Sequence, residues 1–261
     1  MRRMMEPAEL YARVRRCLGA EIELFGSASK NARIVRLPGV LASISPATPD
    51  RSLFNSVMCD SRRALEDAYD ELVRAYEHAG VRAFTVWTDP EDAELTAALS
   101  QRAHRVDSQP WAMAAEIDTL RLPRVLGDLD WVETRDMALV ARLNDAAYGF
   151  PSPAFDAVLD RLEDPRWHGY AARLEGKPVT CLLIWDGGYG DAGICAVATL
   201  PEARGRGLAT NLLARALGDA RARGMITTSL QASPQGYPIY RKLGYHDFCR
   251  MGMWERRSPG A

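Results

Sequence analysis

Two arginines and two glycines alternate at Arg204-Gly205-Arg206-Gly207, immediately ahead of an apolar helical repeat. A helix N-terminus carries unpaired N–H groups and the positive end of the macrodipole, so it readily binds a phosphate. Gly205 and Gly207 remove the Cβ atoms that would hold an anion off the backbone. Arg204 and Arg206 add permanent charge on forked donors suited to phosphate oxygens. The stretch therefore suits an anion, with a diphosphate as the leading choice. A tight turn with solvated arginines is the plainer alternative. A Rossmann dinucleotide turn fits less well, because Thr210 stands where the third glycine belongs and Pro201–Arg204 separate the strand from the first glycine. No Gly-Lys-Ser/Thr occurs, which excludes a P-loop.

The elements that position this loop are legible on both sides of it. Apolar runs predict strands at 129–133, 169–174, 178–185 and 194–200, with turn signals in "GKP" (Gly176–Pro178) and "DGGYGD" (Asp186–Asp191). Helices are predicted at 137–148 and 153–162. After the loop, Leu208, Leu212, Leu213, Ala216, Leu217 and Ala220 recur on one helical face. The expected fold class is mixed α/β (α+β).

The chain also resembles itself. In "AGVRAFTVWTDPEDAELTAALSQRAHRVDSQPWAM", from Ala79, and "RGMITTSLQASPQGYPIYRKLGYHDFCRMGM", from Arg223, a glycine ends a helix and a strand follows. A proline then stands ten residues beyond the glycine (Gly80 to Pro90, Gly224 to Pro234). A short helix and a final methionine-bearing strand complete each unit. Duplication is the expectation, with domains at 1–125 and 126–261 and a boundary in the loop 118–130. Aligning the glycines puts Asp60 and Ser61 opposite Arg204 and Gly205, so only the second half keeps the glycine loop.

Composition excludes several classes. A length of 261 residues suits one large domain or two small ones. A net charge of −1 provides no field to recruit nucleic acid or an anionic membrane surface. No apolar run reaches the ~18 residues of a membrane span, and the charged start "MRRMMEPAELYARVRRCL" is not a signal peptide. Five cysteines without CxxC spacing point to reduced thiols and a cytoplasmic setting. Isolated histidines leave no metal site to expect.

Two motifs in order carry a resemblance to the GCN5-related N-acetyltransferase (GNAT) family. "RGRGLA", Arg204 to Ala209, matches that family's R/Q-x-x-G-x-G/A loop after its fourth strand. "YPIYRKLGY", Tyr237 to Tyr245, is similar to its tyrosine helix. The resemblance covers 129–257 well and 79–117 weakly, and implies two GNAT-like domains, each a mostly antiparallel twisted sheet flanked by helices. It implies acetyl-CoA as cofactor and an amine as acceptor. The Val197, Ala198 and Thr199 backbone would pair with the pantetheine arm, and amides of Arg204, Gly205, Arg206, Gly207, Leu208, Ala209 and Thr210 would hold the pyrophosphate. Tyr240 matches the tyrosine that gives a proton to the departing sulfur; a core aromatic is the alternative.

The chain departs from the family in places. Where some members carry a glutamate base on the fourth strand, this chain has Gly193. Asp191 lies two residues earlier on the same face, as a candidate base or a turn residue. Ser233 replaces the asparagine frequent before the tyrosine helix. Trp167, Trp185 and Cys195 read as packing residues. The functional expectation is acetyl transfer to a primary amine, on a small molecule or else a protein, by an active second half beside a degenerate first half. A non-catalytic acyl-CoA-binding module and a nicotinamide enzyme are the alternatives. The sequence sets no oligomeric state.

Overall fold

The computed structural model describes residues 5–124, 130–151 and 153–258. In chain order its helices and strands are α1 (Pro7–Phe25), β1 (Arg33–Leu37), β2 (Val40–Ile44), β3 (Ser56–Cys59), α2 (Arg62–His78), β4 (Ala83–Thr88), α3 (Ala93–Gln101), β5 (Arg105–Ser108), β6 (Trp111–Glu116), β7 (Trp131–Thr134), α4 (Met137–Tyr148), α5 (Phe155–Val158), β8 (Trp167–Leu174), β9 (Lys177–Asp186), β10 (Asp191–Thr199), α6 (Leu208–Ala222), β11 (Thr227–Ala232), α7 (Tyr237–Leu243), β12 (His246–Arg250) and β13 (Gly252–Arg257). They form two compact units, each assembled from separate stretches of chain. The boundary expected between residues 125 and 126 lies outside the described residues. None of the described helices is long and apolar enough to cross a membrane.

The first unit comprises Met1–Leu18, Trp111–Asp156 and Glu163–Phe248. Its seven-stranded sheet has the order β12-β6-β11-β10-β9-β8-β7. The pairs β7–β8, β8–β9, β9–β10 and β6–β11 are antiparallel, and β10–β11 is parallel. All six residues of the stripe predicted after the glycine loop are buried on α6. Its later members join Tyr170, Leu182, Ile194 and Leu230 in one core, which fixes the start of α6 relative to the end of β10.

The second unit comprises Gly19–Pro110, Ala157–Leu162 and Cys249–Ala261, with a six-stranded sheet in the order β1-β2-β3-β4-β13-β5. It repeats the plan of the first: β3 and β4 run parallel, and Leu65, Leu72 and Tyr76 of α2 are buried against the sheet. Gly80 and Gly224 follow α2 and α6 with φ of 72° and 96°, the left-handed conformation that a glycine cap adopts.

The final strands of the two repeats are exchanged. β6, from the first half of the chain, pairs with β11 over Trp111–Glu116, whereas β13, from the end of the chain, pairs with β4 over Gly252–Arg257. Each therefore completes the sheet built mainly by the other half.

Helix α4 and strands β8, β9 and β10 lie where the periodicity places them. The helix expected at 153–162 is only Phe155–Val158. Asp145 accepts the N–H groups of Phe155 and Asp156, and the Arg161 N–H goes to the Ala28 carbonyl instead of continuing a helical ladder.

Candidate functional site

The β10–β11 ladder runs from Asp191↔Thr227 to Gly193↔Ser229 and stops. Beyond it β10 continues to pair with β9 as far as Thr199↔Thr180, while β11 stays with β6 as far as Ala232↔Trp111. The two strands part, and the β11-facing edge of β10 opens over Val197–Thr199. A bulge accompanies the parting, with the register shifting between Cys195 and Ala198 and Ala196 at a φ of 52°. Bulges re-aim side chains and end pairing.

The open edge leads to the glycine loop. Ala203 and Leu208, at its two ends, are buried with Val179, so the four residues between them are held out into solvent. Gly205 and Gly207 have φ of 75° and 72°, and a Cβ at Gly205 would meet nothing within 4 Å. Gly207 is the N-cap of α6 and supplies no side-chain cap. Asn211 N–H donates to the Gly207 carbonyl at 3.0 Å, which leaves the amides of Leu208, Ala209 and Thr210 without intrahelical acceptors. Val197, Ala198, Thr199 and every residue from Ala203 to Thr210 line one cavity of about 770 Å³.

The two arginines differ in use. The Arg204 guanidinium donates to the main-chain carbonyls of Thr199 (3.0 Å) and Ala147 (2.7 Å), tying the loop to β10 and to the end of α4. Arg206 is exposed and makes no ion pair among the described residues.

Tyr240 is buried on α7 and does not line the cavity. Its ring lies behind Gly236, which does line it, and packs edge-on against Tyr245 with centroids 5.4 Å apart. Burial pushes its phenol well up, and the nearby Tyr148 hydroxyl and Cys195 thiol push it further. Ser233 accepts the Gly236 N–H at 3.2 Å, starting the turn into α7, and also lines the cavity.

Asp191 is buried at 2% exposure and accepts from the hydroxyls of Thr227 (2.6 Å) and Ser229 (2.5 Å). Arg13 of α1 donates to Thr227 on the same cluster at 3.1 Å. Burial holds the Asp191 carboxyl above the usual range. Its side chain is thus a closed cross-link between β10 and β11, while its carbonyl accepts the Gly187 N–H at 2.8 Å and closes the DGGYGD turn. Trp167 and Trp185 are buried against each other, as expected of packing residues.

Sequence reasoning missed Tyr148, Arg121 and Lys242, all of which line the cavity. Tyr148 ends α4 and its hydroxyl lies 3.4 Å from the Val197 carbonyl. Nothing in its spacing marks it, because the contact arises only where α4 crosses the parted strands. Arg121 follows β6, and its N–H donates to the Leu243 carbonyl at 2.8 Å.

In the second unit the corresponding helix start is built differently. Only Asp60 and Ser61 separate β3 from α2, and the Ser61 hydroxyl accepts the Ala64 N–H at 3.2 Å. A Cβ at Gly39 would lie 2.8 Å from the Ala64 Cβ, so the β1–β2 turn covers that helix start.

The family model that matches the sequence is that of the acetyltransferase (GNAT) family, over residues 131–245. Among solved structures, the chain is similar to a GCN5-related N-acetyltransferase from Kribbella flavida, 18% identical with a TM-score of 0.66 over 95% of this chain and 96% of that one. It is similar to a GCN5-related N-acetyltransferase from Sphaerobacter thermophilus, 19% identical, TM-score 0.59, over 99% and 96%. It is also similar to a tandem GNAT protein from the clavulanic acid biosynthesis pathway, 13% identical, TM-score 0.61, over 98% and 97%. At these identities the likeness is one of fold. No curated protein sequence matches significantly.

Proposed function

We propose that the protein, whose residues 131–245 match the model of the acetyltransferase (GNAT) family, moves an acetyl group from acetyl-CoA to a primary amine on a small molecule. The observation that carries this reading is the continuity of one cavity. It joins the open edge of β10 to the uncapped start of α6. When bound, acetyl-CoA supplies an acyl group activated as a thioester.

The residues fit that group at both ends. The open edge of β10 over Val197, Ala198 and Thr199 offers main-chain groups to an amide-bearing arm, with its carbonyls also accepting from Tyr148, Thr180 and Arg204. Uncapped amides from Leu208 to Thr210, with Arg206, suit a diphosphate. Arg204 contributes by fixing the loop, since its own donors are taken by carbonyls. A backbone N–H on the bulged stretch of β10 can polarise a thioester carbonyl by oxyanion-hole logic. Tyr240 holds its proton throughout the physiological range, because burial disfavours its phenolate. The hydroxyl is therefore present in its protonated form for a departing thiolate, while the same burial weakens it as an acid.

The first half of the chain is proposed to be a degenerate copy without a cofactor site, a reading supported by the hydroxyl cap of Ser61 on α2.

The rival reading is a non-catalytic acyl-CoA-binding module. One observation favours it: Tyr240 is absent from the cavity lining. Thermal shift with acetyl-CoA and with NAD tests the shared cofactor assignment, since a ligand specific to the native state raises stability by mass action. Stabilisation by NAD alone would sink both readings. Thiol release across a panel of small amines and lysine peptides then tests transfer and acceptor class. Binding without release of coenzyme A would favour the module.

A further inference from the structure

We infer that Arg121 and Lys242 form a separate phosphomonoester subsite, which takes the ribose 3′-phosphate of coenzyme A. The inference rests on the cofactor reading above and deepens it. Two walls of the same cavity carry positive charge by different means. One is the loop wall, with the amides of α6 and Arg206. The other is the α7 side, where Lys242 lies in the last helical turn and Arg121, from the segment after β6, lines the same cavity. The main chain fixes that neighbourhood, because the Arg121 N–H donates to the carbonyl of Leu243, the residue after Lys242.

Nearby carboxylates are committed elsewhere. Asp118 pairs with Arg221 at 3.0 Å, and Asp247 pairs with Arg241 at 2.6 Å while accepting the Tyr237 hydroxyl. Arg121 and Lys242 make no side-chain ion pair among the described residues, and no carboxylate lines the cavity there. Two cations lining one cavity without a carboxylate in its lining favour a dianion there. A forked guanidinium beside an ammonium is a suitable donor set for a phosphomonoester. A ligand carrying a diphosphate and, apart from it, a monophosphate matches two charged walls. A dinucleotide with only a diphosphate leaves the second wall unmet.

The test is titration calorimetry of the full chain with coenzyme A and with 3′-dephospho-coenzyme A. The wild type is expected to prefer coenzyme A by roughly tenfold or more, the scale of charge-assisted contacts. Arg121→Gln with Lys242→Gln should reduce the preference to about twofold or less, with affinity for the dephospho form unchanged. Arg241→Gln, which removes a cation already paired with Asp247, should leave the preference intact. All three side chains are exposed, so unchanged melting temperatures are expected, and they verify folding. Equal affinity of the wild type for both ligands would overturn the subsite. So would a double variant that weakens both ligands equally, since its cations would then serve the diphosphate or only the general field. Failure of the wild type to bind either ligand would instead remove the cofactor reading itself, and the subsite with it.

Discussion

A Cβ placed on Gly193 would lie 2.6 Å from the Sγ of Cys17. The space beside Gly193 on β10 is therefore filled by a thiol from helix α1. Real Cβ atoms do not approach so closely, and both partners sit in a buried layer beside Asp191. Gly193→Ala should cost about 1–3 kcal/mol by overpacking. Combining it with Cys17→Ala, which removes the obstructing sulfur, should recover much of that loss. Denaturant unfolding of the two single variants and the pair measures the coupling, expected to exceed 1 kcal/mol in magnitude. Additive losses would mean that the contact does not explain the glycine.

Gly205 presents the opposite case. Its Cβ would meet open space, so Gly205→Ala is penalised mainly by the left-handed φ of 75°, about 1–2 kcal/mol. The methyl group would nevertheless project from the loop proposed to cradle a diphosphate. The expected result is a small drop in melting temperature together with a loss of acetyl-CoA affinity of about tenfold or more. An affinity change no larger than the stability change would argue against direct approach of the anion to this backbone.

Tyr240→Phe separates transfer from binding. The variant keeps the ring that packs against Tyr245 and removes only the hydroxyl. Turnover should fall by roughly 10²–10⁴, the range of general acid catalysis, with acetyl-CoA affinity preserved. Undiminished turnover would return Tyr240 to the role of a core aromatic.

The second unit should impose an acid limit on stability. His104 is fully buried, lies near the Tyr69 hydroxyl at 2.9 Å and the Trp254 carbonyl at 2.9 Å, and has its pKa pushed down to about 4 by burial, from an ordinary 6.5. With the pKa depressed on folding, the unfolded chain binds the proton first as pH falls. Stability is therefore lost as the pH falls from about 6.5 to 4, by about 3 kcal/mol. Glu21 has the opposite slope: burial raises its carboxyl to about 8, so stability is lost as pH rises from 4.5 towards that value. Unfolding curves from pH 4 to 8.5 should show the acid limb flattened in His104→Gln and the alkaline limb flattened in Glu21→Gln. Limbs unchanged in these variants would assign the pH dependence to other groups.

The sequence and the structure agree where a local pattern determines the outcome. The glycine loop, the α6 stripe and the strand before it were legible because periodicity and turn chemistry act within a few residues. What was hidden depends on partners far along the chain. The Arg204 guanidinium turns to the carbonyl of Ala147, 57 positions away, and leaves the free charge to Arg206. Asp191 is closed off by Thr227, Ser229 and Arg13, which no spacing places beside it. The motif points to Tyr240, but its position behind Gly236 follows from the packing of α7. Nor can an apolar, methionine-bearing strand disclose which of two similar sheets it joins, and so the exchange of β6 and β13 was invisible.

That exchange yields a prediction about dissection of the chain. The matched family segment, 131–245, contains neither β6 nor β13. A fragment of residues 126–261 would retain β11 without the partner that occupies its whole length from Thr227 to Ala232. Met113 and Ala115 of β6 would also be missing from the core around Leu230 and Tyr245. An open, apolar strand edge invites aggregation, and a buried backbone with unpaired donors is costly. The fragment is expected to be insoluble or unfolded by circular dichroism. Appending residues 109–118 to it through a flexible linker should restore a cooperative melting transition by refilling the place between β11 and β12. A fragment 126–261 that melts cooperatively without that strand would show that β6 is dispensable to the fold of that segment.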